Sequence, residues 1–165
     1  IHKIIEAFDF YMRHCDKSAK LILVGKCDVE LYGKKIDQLI KDRNLSKSIT
    51  RIENCSTKEL TNLYQNSSVF VSLSEHEGFG VPLVEAMASG LPIVALRAAA
   101  VGETVSGAGI LLESSDSATV ALTVQEVIQN IELREELINK GLVRAQIYHP
   151  ENTLKSYVDY LVEWV

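Results

Sequence analysis

Short apolar runs that end in glycine or polar residues alternate along the chain with stretches whose apolar positions recur every three or four residues. "KLILVG" (Lys20–Gly25), "SVFVSLS" (Ser68–Ser74) and "PIVAL" (Pro92–Leu96) have the continuous apolar character of buried parallel strands. "ITRIE" (Ile49–Glu53) and "GILLE" (Gly109–Glu113) are weaker strand candidates. Between them, Ile4, Ile5, Phe8, Tyr11 and Met12 follow helical spacing, as do Leu31, Ile36, Leu39 and Ile40. Ser56 with Glu59 predicts a capping box that opens a helix to about Gln65. Pro82 suits the first turn of another helix and Gly90 its end. Asp116 and Asn130 stand where caps belong; the helix after Asn130 should stop before Pro150, which begins a final helix to Trp164.

Strands that alternate with helices predict right-handed βαβ units and an open sheet covered on both faces. The expected fold class is therefore α/β, a doubly wound, Rossmann-like parallel sheet. No repeat, low-complexity stretch or linker divides the chain, so residues 1–165 form one domain. The chain starts directly in helical pattern where such a domain ordinarily opens with a strand, which leads us to expect a fragment whose first strand is missing.

Composition narrows the possible functions. The 165 residues, 47% hydrophobic, suit one domain with a real core. No apolar run is long enough for a membrane span, and no signal-peptide pattern opens the chain, so a cytoplasmic protein is expected. Cys15, Cys27 and Cys55 lack the paired spacing of zinc or redox motifs, and His2, His14, His76 and His149 are scattered, so no metal site is expected. The net charge of −5 divides unevenly, with +4 on residues 1–51 and −9 on the remainder. Solvated helix faces account for this, and the absence of a basic stripe interleaved with aromatics argues against nucleic acid.

The chemistry concentrates in "SLSEHEGFGVPLVEAMASGLPIVAL" (Ser72–Leu96). It reads as strand, loop, helix and strand, and its loop falls at the carboxyl end of a strand, where open α/β sheets bind ligands. Gly78 and Gly80 would let backbone approach a ligand closely, and the free N–H groups of the following helix would attract phosphate. The glycines match neither a Walker loop nor a G-x-G-x-x-G fingerprint, so a plain strand-to-helix turn is an equal reading. Glu77 lies before the helix and Glu85 about one turn inside it. Three readings compete at this point: a capping Glu77 with a solvated Glu85, a hydrolytic acid and nucleophile pair, and two carboxylates that each accept sugar hydroxyls of one nucleotide sugar. His76, between two glutamates, has no second ligand histidine nearby and is read as a solvated loop residue. "AVGET" is read either as a ligand loop or as a helix start with Glu103 at its N-terminus.

"EGFGVPLVE" followed by "AMASGLPIVA" resembles the E-x7-E signature of the group-one, family-4 glycosyltransferases. "IIEAF" (Ile4–Phe8), "KLILVG", "LYQNSSVFVSLSEHEGFG", "AVGETVSGAGILL" (Ala100–Leu112) and "ELREELINKGLVRAQIY" (Glu132–Tyr148) resemble further family segments in the same order. The resemblance implies the C-terminal, donor-binding half of a two-domain GT-B enzyme, with the N-terminal acceptor domain absent. It implies that Glu77 is catalytic and faces the transferred sugar. Gly78, Phe79, Gly80 and Val81 would meet the donor and its phosphates, and Glu85 would hold the ribose hydroxyls. The loop of Asn54 and Cys55 would pass near the base. It further implies a retaining, hexosyl-type transferase that needs no metal or other cofactor. The substrate would be a nucleotide-diphosphate sugar; the acceptor would be a glycan or lipid-linked glycan of the cell envelope or capsule, reached through the absent domain, with peripheral membrane contact as an option. The departing diphosphate is stabilised in such enzymes by cationic side chains and a helix N-terminus.

The chain departs from the family at several points. An Arg and a Lys that usually reach the diphosphate precede the segment where this chain begins, and Lys3, placed inside the first helix, is not taken as their substitute. Gly102 and Pro150 stand where a proline and an aromatic are common. A non-catalytic nucleotide-sugar-binding module is the alternative function, and an unrelated response-regulator-like fold ranks far below because the acidic cluster it requires is missing.

Overall fold

The structure, a computed structural model, describes residues 1–26, 29–76, 78–149 and 151–153. Among the described residues five strands alternate with helices: α1 (His2–His14), β1 (Leu21–Val24), α2 (Glu30–Asp42), β2 (Ile49–Ile52), α3 (Thr57–Gln65), β3 (Phe70–Ser72), α4 (Val81–Ala88), β4 (Ile93–Leu96), α5 (Val101–Val105), β5 (Ile110–Leu112), α6 (Ser117–Gln129) and α7 (Ile131–Ile147). The caps fall where the sequence puts them. Ser56 and Glu59 form the full capping box of α3, and Asp116 and Asn130 accept the N–H groups of Thr119 and Leu133 to open α6 and α7. "AVGET" resolves as the start of the short α5. The final helix expected from Pro150 to Trp164 lies outside the described residues apart from 151–153.

All strand pairs are parallel. They form two pieces, β1–β2 and β3–β4–β5. β4 pairs on both sides, and all four of its side chains are buried. Ile93 and Ala95 enter a core with Leu83, Ala86 and Met87 of α4 and Val101 and Val105 of α5. Val94 and Leu96 enter the opposite core with Ala7 of α1, Val120 and Val127 of α6 and Leu137 of α7. This is the doubly wound arrangement, and period-two side chains on one strand feed both layers.

β1 differs from the expected strand buried on both faces. Leu21 and Leu23 pack with Ile5 and Phe8 of α1 and Ile36 and Ile40 of α2, whereas Ile22 and Val24 are 40% and 43% exposed. The reason is the uneven distribution of helices: α3, α4 and α5 gather over β3–β5 and leave the second face of β1 uncovered. α1 spans the two sheet pieces. Its Ile5 and Phe8 belong to the β1–β2 core, and its Ala7 to the β3–β5 core. Asp9 of the same helix is 5% exposed and accepts from Arg13 Nε at 2.9 Å and Arg43 Nη1 at 2.7 Å, so its buried charge is paired twice.

Gly109 marks the tightest approach between β5 and its neighbours. A Cβ there would sit 2.9 Å from Ile93 Cβ, 3.0 Å from Val105 Cγ1 and 3.1 Å from the Ile93 carbonyl oxygen. Since Ile93 and Val105 are fully buried, neither can swing aside. Gly109→Ala should therefore destabilise the protein by about 1–3 kcal/mol, seen as a lower urea midpoint at unchanged m-value.

Candidate functional site

The loop after β3, at the carboxyl edge of the sheet, leads into α4 through Gly80. Gly80 has φ of +78°, which favours glycine, and a Cβ there would also press on the buried Leu83 side chain, 2.8 Å from its Cδ1. Gly78 differs, because among the described residues beyond its own chain neighbours none comes within 4 Å of where its Cβ would be. Phe79 and Val81 are 52% and 55% exposed. α4 has no side-chain cap at Gly80, in contrast to the capped starts of α3, α6 and α7, so its first-turn N–H groups face the loop without a side-chain acceptor. Glu77 lies outside the described residues.

Glu85, the fifth residue of α4, is partly exposed beside the helix face that carries Leu83, Ala86 and Met87 into the core. Tyr64 of α3 donates its hydroxyl to Glu85 Oε2 at 3.1 Å. Burial, and then the Glu85 charge and hydrogen bond, push the Tyr64 phenol far above its ordinary range; the nearby Cys55 thiol adds to this. Tyr64 thereby links the last turn of α3 to α4. Asn54, in the β2–α3 loop, is exposed and makes no side-chain hydrogen bond among the described residues. Two surface concavities, one lined by Asp9, Arg13 and Arg43 and the other by Ser67, Pro92 and Arg134, include none of these residues.

A second set of contacts holds the glycine loop from the opposite side. Thr104 of α5, 2% exposed, donates its hydroxyl to the Phe79 carbonyl at 2.7 Å. The Thr104 carbonyl in turn accepts from Arg144 Nε at 3.1 Å and from the Tyr148 hydroxyl at 3.2 Å, and Arg144 Nη2 reaches the Glu103 carbonyl at 2.7 Å. The Phe79 ring meets Tyr148 edge to face, with centroids 5.1 Å apart. α5 and α7 thus fix the loop between Gly78 and Gly80 through its backbone and its one aromatic side chain. Tyr64, Thr104, Arg144 and Tyr148 were not legible as site residues in the sequence. The i,i+4 spacing of Arg144 and Tyr148 on a helix was the only local signal.

Lys3 of α1 reaches the same loop. Its Nζ is 2.5 Å from Glu75 Oε1, a contact between the first helix and this loop that no local pattern signals. His76, next to it, is exposed, and among the described residues no group of acidic, histidine or cysteine side chains has the arrangement of a metal site. The hydrogen bond from Lys3, followed by its charge, holds the Glu75 carboxyl below the usual range. A carboxyl depressed in the folded state contributes stability above its unfolded pKa, and that contribution is lost as pH falls through the folded value. Lys3→Ala should let the Glu75 midpoint rise towards the ordinary glutamate value, with little change in stability because both groups are at the surface. A carboxyl NMR titration reads this directly, and an unmoved midpoint would show that the ion pair does not form in solution.

Comparison with known proteins places this geometry in a family. Residues 1–144 match the family model of the group 1 glycosyl transferases. The chain is 29% identical over 163 residues to the O-antigen chain mannosyltransferase RfbU of Salmonella typhimurium, a match covering 98% of this chain and 44% of RfbU. The chain thus spans less than half the length of that relative. Among solved structures, the C-terminal domain of the glycosyl transferase group 1 family protein LpcC from Francisella tularensis has a TM-score of 0.76 at 25% identity, over 88% of this chain and 76% of that one. HepE of Anabaena, solved with UDP and glucose, shares the fold with a TM-score of 0.85 at 21% identity, over 99% of this chain and 44% of HepE. No helix among the described residues is long and apolar enough to cross a membrane. With a family match that begins at Ile1 and runs through the glycine loop, Glu85 and most of α7, the chain belongs to the group 1 glycosyl transferases and has the Rossmann-like fold of their C-terminal domain.

Proposed function

We propose that this chain is the donor-binding domain of a retaining glycosyltransferase that moves a hexose from a nucleotide-diphosphate sugar to a growing cell-envelope glycan. The observation that carries the reading is the placement of a glycine loop, an uncapped helix start and a half-exposed glutamate together at the carboxyl edge of a parallel sheet. The loop at Gly78, where no described residue other than its chain neighbours comes within 4 Å of an added Cβ, suits a ligand that approaches the backbone. The N–H groups at the start of α4 suit the diphosphate, whose negative charge grows as the sugar departs. Glu85 suits the ribose, because an ionised carboxylate accepts from hydroxyls without donating. Glu77 is assigned to the transferred sugar, where a carboxylate opposes the positive character that develops at the anomeric carbon. Transfer in this reading uses no metal.

The likeness to RfbU makes mannose the first sugar to test. We infer in addition that polypeptide outside this chain supplies an acceptor domain and one further strand. Among the described residues β1 and β3 are not paired with each other, α1 packs into the cores of both sheet pieces, and Lys3 near its start reaches the loop after β3, at the carboxyl edge of the sheet. A parallel strand between β1 and β3 would deliver the chain to that point. A cytoplasmic enzyme with peripheral membrane contact fits a lipid-linked acceptor.

Calorimetric titration of the full-length protein with GDP-mannose, UDP-glucose and ADP-glucose should give saturable binding for one of them. Glu85→Ala should weaken that binding about tenfold or more, as expected when a charged hydrogen-bond partner is removed. Absence of saturable binding across the panel would overturn the reading. Glu77→Gln should lower the rate of sugar transfer about 100-fold or more at nearly unchanged nucleotide affinity; an unchanged rate would remove Glu77 from the reaction.

A further inference from the structure

The neighbourhood of Glu85 contains a group that neither the family signature nor the sequence pattern assigns. Tyr64 stands on α3, 21 residues from Glu85 in sequence, and is 8% exposed. Its ring is packed in the core cluster that contains Leu83 and Ala86 of α4, and it meets Phe70 edge to face with centroids 5.9 Å apart. A ring confined in this way has little freedom to redirect its hydroxyl, which donates to Glu85 Oε2. The phenol also stays protonated, since burial and the adjacent carboxylate both oppose its ionisation. It is therefore a permanent donor to one particular oxygen.

Glu85 has the opposite character. Its side chain turns about three single bonds, and freezing such a chain upon ligand binding has an entropic cost. With Oε2 occupied, Oε1 is left without a hydrogen-bond partner among the described residues. The Glu85 carboxylate is thus oriented before a ligand arrives.

We propose that Tyr64 is a positioning residue for Glu85: it occupies one carboxylate oxygen so that the other is presented, already oriented, to the ribose hydroxyls of a bound nucleoside diphosphate. The proposal rests on the reading of Glu85 as the ribose acceptor given above. It makes discrimination between ribose and a sugar without hydroxyls depend on a tyrosine that does not touch the nucleotide. Simple packing would have a different signature, because a loosened core would weaken all ligands alike.

The test is titration of the full-length protein with whichever of UDP, GDP and ADP binds most tightly, and with its 2′,3′-dideoxy counterpart. Tyr64→Phe, which removes only the hydroxyl, should cost about three- to tenfold in affinity for the ribonucleotide and leave the dideoxynucleotide almost unaffected. In a Glu85→Ala background the same substitution should have no further effect. Equal losses for both nucleotides, or an undiminished loss without Glu85, would reduce Tyr64 to a packing residue and overturn the proposal. If Glu85→Ala keeps the full preference for ribose, the assignment of Glu85 fails and this proposal with it. If Glu85→Ala loses the preference while Tyr64→Phe keeps it, the proposal for Tyr64 alone fails. Should Tyr64→Phe not fold, Tyr64→Met, which also lacks the hydroxyl and adapts its shape, is read in the same way.

Discussion

Burial of β4 on both faces is the constraint on which the rest of the structure depends. A strand whose four side chains all leave water needs a helical layer on each side, and Ile93 and Ala95 face one layer while Val94 and Leu96 face the other. Fully buried side chains of this size each contribute about 1.5–3 kcal/mol, which is enough to dictate how α4 and α5 sit. α4 must turn Leu83, Ala86 and Met87 inward, and α7 packs against Met87 at Gly141. Once those three residues face the sheet, Glu85 is directed to the margin of the helix. There it meets Tyr64, itself part of the same core.

The glycine loop depends on the same packing by a different route. Thr104 is buried because α5 covers the sheet with Val101 and Val105, and from that position its hydroxyl satisfies the Phe79 carbonyl. Arg144 and Tyr148 then use the Thr104 and Glu103 carbonyls, so that an arginine on the longest helix supports a loop 65 residues away in sequence. Each of these hydrogen bonds contributes only about 1 kcal/mol. Together they hold the Phe79 backbone and ring, and a site meets a ligand best when its donors are already oriented. The exposed ion pair of Lys3 and Glu75 adds little to stability but sets the charge at the mouth of the loop.

How much of this was legible in the sequence varied with the range of the interaction. The order of strands and helices as far as Ile147, the capping box of Ser56 and Glu59, and the caps Asp116 and Asn130 rest on neighbours within four residues, and the structure has them. Of the paired glycines, the requirement at Gly80 is met by a positive φ, but Gly78 faces open space and has no comparable structural need. The apolar run of β1 predicted burial on two faces and obtained it on one, since period-two patterning reports what a strand can bury and says nothing of which helices come to cover it. Tyr64, Thr104, Arg144 and Tyr148 escaped the sequence reading because each acts across the fold, on a partner between 21 and 44 residues away, and an isolated tyrosine or threonine in a helix carries no mark of its partner.

The sequence by itself determined the α/β class, the position of nearly every element and the family signature around Glu77 and Glu85, because these depend on propensity, periodicity and caps that operate over a few residues. The tertiary structure alone decided that the first helix lends Lys3 to the loop and that Glu85 is held by a tyrosine from a different helix. The physical reason is that hydrophobic burial is non-directional: it brings helices onto the sheet, but only the close fit of particular side chains fixes which polar groups meet once they are there.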